Sequence, residues 1–538
     1  MKTTKTLFLF LFVFSVLNAQ NTNLEPMETG IYEGTWESLK QYGEAPEWFQ
    51  DAKFGIWAHW GPQCEPEAGD WYARNMYFSG SGQNKIHIAK YGNPSVFGFK
   101  DVINVWKADQ WDPEKLMALY KRAGAQYFVA LANHHDNMDL WDSKYQPWNS
   151  VNMGPKRDIL AGWAQAAKNS GLPFGISFHA SHAWIWYEAA QDYDGNLTLA
   201  DGAGKWWEGY DPQDLYAQNH PRSTGSNEIN KIHSQWNWGN GASLPSEEYI
   251  NKFYNRTIDA INRYNPDVVY FDDTALPFYP VNDIGVRIAA HAYNKSLKEH
   301  GSQRAVVLGK VLKEEQKECM VWDIERGIPN DIQEKYWQTC TCLGTWHYEK
   351  SFYDKNKYKP AKTVIHLLVD IVSKNGNLLL SVPVRGNGTI DDKEEAILKG
   401  IAGWMDVNKE SIYGTRPWKV FGEGPTAEKT NPMKGQGFNE NIPYSSKDIR
   451  YVIKGNVLYA TVMGWPDNGS VTFKSLATSA PHYTGKIKTV ELLGYGKLKI
   501  ISRNTEGLTI KLPARQTNDI ALVFKIPLVR RNVLKMKV

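Results

Sequence analysis

The chain of 538 residues has only four cysteines, Cys64, Cys319, Cys340 and Cys342. They are too few and too unevenly spaced for a disulfide framework, and Cys340-Thr-Cys342 lacks the spacing of a zinc knuckle. "CEPEA" at 64–68 places Ala68 where the Cys-x-Pro-x-Arg motif of a sulfatase needs arginine. An excess of charge is missing too: 61 lysines and arginines against 58 acidic residues leave a formal net charge of +3, with no basic block in the interior. Nucleic acid and an anionic membrane surface are therefore not expected as partners. No glycine-rich phosphate turn follows any strand-like run, which argues against a nucleotide-binding doubly wound sheet. After the N-terminus no long apolar run recurs, so no membrane anchor is expected.

The N-terminus itself, "MKTTKTLFLFLFVFSVLNAQN", has two lysines, an apolar run over residues 7–16 and Ala19 at a cleavage position. This predicts a signal peptide over residues 1–19 and an exported protein, periplasmic or secreted. Aromatics are plentiful: 22 tryptophans, 28 tyrosines and 20 phenylalanines make up 13% of the chain. Most must be core, yet flat apolar faces with a polar edge also suit sugar rings.

Between about residues 50 and 405, short apolar runs alternate with amphipathic stretches. The runs are "FGIWAHWG", "YFVALANHHD", "FGISFHAS", "VVYFDD", "AVVLGK", "MVWDIE", a weak "CLGTWHY" and "GNLLLSVPV". Between several lie helical segments such as "DPEKLMALYKRAGA", with apolar residues at spacings of three and four and a glycine after the last turn. Eight strands alternating with helices predict a (β/α)8-like barrel over residues 20–410. From 411 to 538, runs such as "DIRYVIKGNVLYATVMGW" and "DIALVFKIP" separated by turn residues predict an all-β sandwich. Residues 187–245, rich in Asp, Asn, Gly and Trp, follow the third strand on the face where barrel active sites lie. They read as a substrate-binding wall or as a self-packed surface loop.

Polar residues recur at one end of strand after strand: His59, then His134 and His135, then His179 and His182, then Asp272, Lys310 and Glu325. In a barrel that end is reserved for chemistry. Two carboxylates about fifty residues apart on different strands suit glycoside hydrolysis, one acting at the anomeric carbon and the other protonating the leaving oxygen. A metal reading of His134, His135 and Asp136 needs the backbone to bend, because adjacent strand residues point to opposite faces. No metal and no cofactor is expected.

The segments "WFQDAKFGIWAHWGP", "NHHDNMDLWDSKYQPWNSVNMGPKRD", "PDVVYFDD" and "LVDIVSKNGNLLLSVPVRGNGTIDD" resemble, in order, the signatures of glycoside hydrolase family 29, the retaining α-L-fucosidases. The resemblance spans nearly all the mature chain. It implies a metal-independent barrel enzyme with a β-sandwich behind it, acting on a fucose-containing oligosaccharide or polysaccharide. It also implies Asp272 as nucleophile, with Asp273 in place of the family's usual glycine and expected to turn outward. Glu325 stands at the position implied for the acid/base, with Asp323 and Glu349 behind it as candidates. A negative Asp272 would favour protonated Glu325 before attack. His59, His134 and His135 match positions that bind fucose hydroxyls, and Asp70 and Trp71 match a Glu-Trp pair, Asp70 shorter by one methylene. Lys310 stands where some members place arginine, and Trp346 aligns with an aromatic packed on the sugar's methyl group. Ser177 replaces a tyrosine, with His179 taking over the polar contact. That departure leaves an α-L-galactosidase on the same scaffold as an alternative; a silent carbohydrate-binding protein is the alternative from another class.

Overall fold

The computed structural model describes residues 24–434 and 437–528; the signal segment read over residues 1–19 lies outside them. Eight parallel strands close into a barrel in chain order: β1 (Phe54–Ala58), β2 (Tyr127–Asn133), β3 (Phe174–Phe178), β4 (Val268–Thr274), β5 (Val306–Lys310), β6 (Val321–Glu325), β7 (Trp337–Cys342) and β8 (Gly376–Ser381). β1 pairs with both β2 and β8, so no edge is left. β1, β2, β3, β5, β7 and β8 are buried throughout. Strands covered on both faces in this way need not alternate, which is why their sequences read as continuous apolar runs. The helices between them carry the expected punctuation. Asp112 caps helix Pro113–Ala123 by accepting the Lys115 N–H, and Gly124, at φ 111°, ends it; Asp158 and Gly171 do the same for Ile159–Ser170.

The seventh strand departs from the sequence reading. It is "WQTCTC", and the segment beginning at Leu343 leaves the sheet to run over the barrel mouth. β7 escapes an apolar search because it serves a polar network inside the barrel. The Gln338 amide donates to Asp323 at 2.8 Å and accepts from the Tyr127 hydroxyl at 2.7 Å. Buried polar groups survive when so paired.

The C-terminal strands form two antiparallel sheets. The larger runs, in spatial order, Gly496–Lys497, Glu491–Leu492, Leu522–Pro527, Val457–Val462, Ile449–Lys454 and Arg416–Glu423; the smaller runs Ser470–Phe473, Leu508–Lys511 and Ile500–Arg503. Trp418, Tyr451, Leu458, Phe473, Leu492, Leu508 and Phe524 fill a core of their own between them. Helix Ala361–Ser373 packs on strands Arg416–Glu423 and Ile449–Lys454. Within that contact Asp370 is buried against Lys374 at 2.9 Å and against Arg450 of the sheet. Among the described residues all four cysteines are free and buried, and no helix is long and apolar enough to cross a membrane.

Candidate active site

At the C-terminal ends of the strands lies a cavity of about 470 Å³, within the roughly 300–1,000 Å³ of small-molecule sites. Its walls include Trp57, His59, His134, His179 and Tyr270 from the barrel, and Asp272, Lys310 and Glu325 from three consecutive strands. The Lys310 ammonium ties the carboxylates together, 2.5 Å from Asp272 Oδ1 and 2.9 Å from Glu325 Oε2. Those two oxygens are therefore no farther apart than the sum of the contacts. That spacing suits the roughly 5–5.5 Å separation of retaining glycosidases and falls short of the roughly 6.5–9.5 Å of inverting ones. Burial alone would raise the Asp272 carboxyl, but the Lys310 ammonium beside it holds it well below the usual range. Burial would likewise lower Lys310, yet Asp272 and Glu325 hold it well above its ordinary value. Asp272 is thus a stable anion beside a stable cation.

The histidines are set by the loops behind them. Gln63 accepts the Ala73 N–H at 3.2 Å, so its amide N–H points to His134 Nδ1 at 2.8 Å. The His134 proton must then be on Nε2, which makes this ring a donor. His135 Nδ1 lies 2.6 Å from the His179 carbonyl, which can only accept; its Nε2 lies 3.3 Å from Asp272 Oδ2. As a neutral ring it has no Nε2 proton to donate to the carboxylate, so Lys310 is the cation that keeps Asp272 ionised. Arg256 secures the loop that follows, donating to Asp139 at 3.0 Å and to Asn137 at 2.6 Å. Asn133 in turn accepts the backbone N–H groups of His179 and Ala180, tying the ends of β2 and β3 together.

The α-L-fucosidase family profile matches residues 19–410, and the profile of the family's C-terminal domain matches residues 442–527. The chain belongs to the α-L-fucosidase family. It is 25% identical over 499 residues to an α-L-fucosidase of Branchiostoma floridae, covering 91% of this chain and 93% of that one. Against human plasma α-L-fucosidase it is 25% identical over 500 residues, 90% and 88% of the two chains. The fold follows that of the Thermotoga maritima α-fucosidase, with a TM-score of 0.66, 24% identity, and coverage of 92% and 100%. The protein is thus a glycoside hydrolase of the α-L-fucosidase type.

Within this fucosidase fold the pocket gathers Asp272, Glu325, Lys310, His59, His134, His179, Asp70, Trp71 and Trp346. His135 stands just behind, reaching the pocket through Asp272. The Asp70 oxygens accept the backbone N–H groups of His347 at 2.6 Å and Trp346 at 3.2 Å. The shorter acid therefore orients two residues that line the pocket, as well as lining it itself. Of the three acid candidates, Glu325 alone lines the cavity. Asp323 is enclosed by Tyr270, Gln338 and Cys340, and burial raises it to about 6. Glu349 lies in a bridge to Ala68. Ser177 is buried in β3, its hydroxyl directed to the Ala130 carbonyl, while His179 faces the pocket.

Asp273 does not turn outward to solvent. β4 continues through Thr274, so strand alternation sends Asp273 to the opposite side from Asp272, into a buried niche. There Ser181 donates to it at 2.8 Å and His182 Nε2 lies 2.9 Å away. His182 in turn stacks on Trp236 and Trp238, with ring centroids at 3.9 and 4.8 Å. The second aspartate thus anchors the long segment after β3, and that segment supplies His233, Ser234, Trp236, Asn237 and Asn240 to the pocket. It is a wall, and its buried Trp207 and Trp238 show that it is also self-packed.

His347, Trp57, Tyr270 and Phe438 also line the site and escaped the sequence reading. For His347 the signal was present in "TWHY", misread as strand. His59, His134 and His179 place ligand-capable nitrogens within 4.8 Å of one another, as do His135, His179 and Asp272. An ion there would occupy the pocket floor in competition with a sugar. Burial, reinforced by neighbouring rings, pushes His59 and His134 well below 6.5, and burial takes His135 to about 4. Lowered values keep these rings neutral as pH falls from 7 to 5. The acid limb of kcat/KM is accordingly expected below pH 5; a limb centred near 6.5 in a pH–rate profile would show that a pocket histidine titrates normally.

Proposed function

We propose that this protein is an exported, exo-acting, retaining hydrolase that releases terminal α-L-fucosyl residues from a polysaccharide or glycan. The observation that carries the reading is the single ammonium of Lys310 touching both Asp272 and Glu325. Asp272 attacks the anomeric carbon while Glu325 protonates the departing oxygen, giving a glycosyl-aspartate. Water then attacks the same carbon as Glu325 takes its proton, and the Asp272 carboxylate is regenerated. Once Glu325 carries a proton it no longer competes for Lys310, which can then serve the nucleophile alone. His134 donates from Nε2 to a sugar hydroxyl, and Trp346 offers an apolar face to the ring. Retention of both carboxylates beside a shaped pocket disfavours a silent binding protein.

The test is hydrolysis of 4-nitrophenyl α-L-fucoside and the matching α-L-galactoside, with the first-formed sugar followed by NMR. The expected result is preference for the fucoside and initial release of the α-anomer. Initial β-anomer would exclude the double displacement, and preference for the galactoside would exclude the fucosyl specificity. Glu325→Gln is expected to slow an unactivated glycoside by about 10²- to 10³-fold.

A further inference from the structure

On the Glu325 side of the pocket the outermost residues are Phe438 and Val311, 46% and 49% exposed. Phe438 belongs to the loop between strands Arg416–Glu423 and Ile449–Lys454 of the second domain, and this segment is fastened along the end of β6. The Phe438 N–H donates to the Glu325 carbonyl at 3.0 Å and the Glu440 N–H to the Arg326 carbonyl at 3.1 Å. Asn439 exchanges hydrogen bonds with the Ile328 backbone at 2.8 and 3.0 Å, and Arg326 Nε donates to Glu440 at 2.8 Å. Gly437 comes so close that a Cβ on it would lie 1.8 Å from the Glu325 carbonyl oxygen. Phe438 itself has φ 55°, a left-handed conformation that a bulky residue adopts only at a cost. The chain thus holds an exposed aromatic ring, in a strained conformation, beside its acid/base.

We infer that Phe438 is a specificity-determining residue that forms the leaving-group subsite, and that this subsite takes a neutral pyranose. The inference rests on the hydrolase reading above: whatever is attached to the oxygen that Glu325 protonates must lie beside Glu325, where Phe438 is pinned. An exposed phenyl face suits the apolar face of a sugar ring. Across the opening, Ser234, Asn237 and Asn240 are exposed and offer hydroxyl and amide groups for its hydroxyls. Among the described residues lining the pocket, Lys310 is the one lysine or arginine, and it is held between two carboxylates. A sulfate or carboxylate on the leaving sugar would find no free cation there.

The subsite is read by transfer. With α-L-fucosyl fluoride as donor, methyl β-D-galactopyranoside competes with water for the glycosyl-enzyme. Its hydroxyl oxygen bonds to the anomeric carbon, the ester bond to Asp272 breaks, and the hydroxyl proton passes to Glu325. The ratio of transfer to hydrolysis comes from one intermediate and does not depend on how fast that intermediate forms. Phe438→Ala is expected to lower this ratio at least fivefold, and Phe438→Trp to preserve it. An unchanged ratio in Phe438→Ala, no transfer by the wild type, or better transfer to the 6-sulfated acceptor would each overturn the inference. Absence of fluoride release by the wild type would overturn the hydrolase reading on which it rests.

Discussion

Asp272→Gly is expected to lower kcat on an aryl α-L-fucoside by about 10⁴-fold or more, equivalent to about 5.4 kcal/mol at 1.36 kcal/mol per tenfold. Glycine removes the attacking atom but leaves Lys310, still in contact with Glu325, at the edge of the vacated space. A small anion such as azide can enter that space and attack the anomeric carbon in place of the carboxylate. The rate should then recover with azide concentration, and the product should be the β-L-fucosyl azide, a single inversion in place of the usual two. This separates a lost nucleophile from a collapsed site, because a collapsed site is not rescued by an ion. The neighbouring carboxylate provides the control. Asp273 faces Ser181 and His182, away from the pocket, so Asp273→Gly loosens the wall and gives no azide product. Azide rescue appearing at position 273 and not at 272 would reverse the two assignments.

The barrel was legible because most of its strands are buried on both faces, and the apolar runs that burial demands stand out against amphipathic helices. The carboxylates were legible for a related reason: a charge at the end of such a run has no structural excuse, and barrel topology sends strand ends to a common mouth. β7 was not legible, because Gln338 and Thr341 point their polar groups into buried networks and break the apolar signal. Asp273 was misjudged on the assumption that the strand stops at its first charge. β4 instead runs two residues further, since Ser181 and His182, remote in sequence, supply partners for a buried carboxylate. Phe438 had no local signal at all. Its place depends on Gly437 meeting the Glu325 carbonyl, a contact between residues more than a hundred positions apart that no periodicity encodes.

The same segment ties the second domain to the Glu325 end of the pocket. Its far end enters strand Ile449–Lys454, where Arg450 reaches buried Asp370, itself 2.9 Å from Lys374. Asp370→Asn leaves two buried cations facing a neutral amide and is expected to cost about 3–5 kcal/mol of stability, measured by urea unfolding followed by tryptophan fluorescence. Burial would raise the Asp370 carboxyl, but Lys374 and Arg450 bring it down to about 2, against an ordinary 3.8. A value lowered by folding contributes stability that is complete above the ordinary value and disappears as pH falls through the folded one. The difference between wild type and variant should therefore be full at pH 5 and above and close progressively between about pH 4 and 2. Replacing all three residues together, Asp370→Leu, Lys374→Met and Arg450→Met, removes every charge and should recover most of the loss. Recovery of stability in the triple variant, with the transfer ratio of the wild type, would mean that the junction holds Phe438 against Glu325 by packing. Recovery of stability without the transfer ratio would mean that the Arg450–Asp370 pair itself sets the position of the segment.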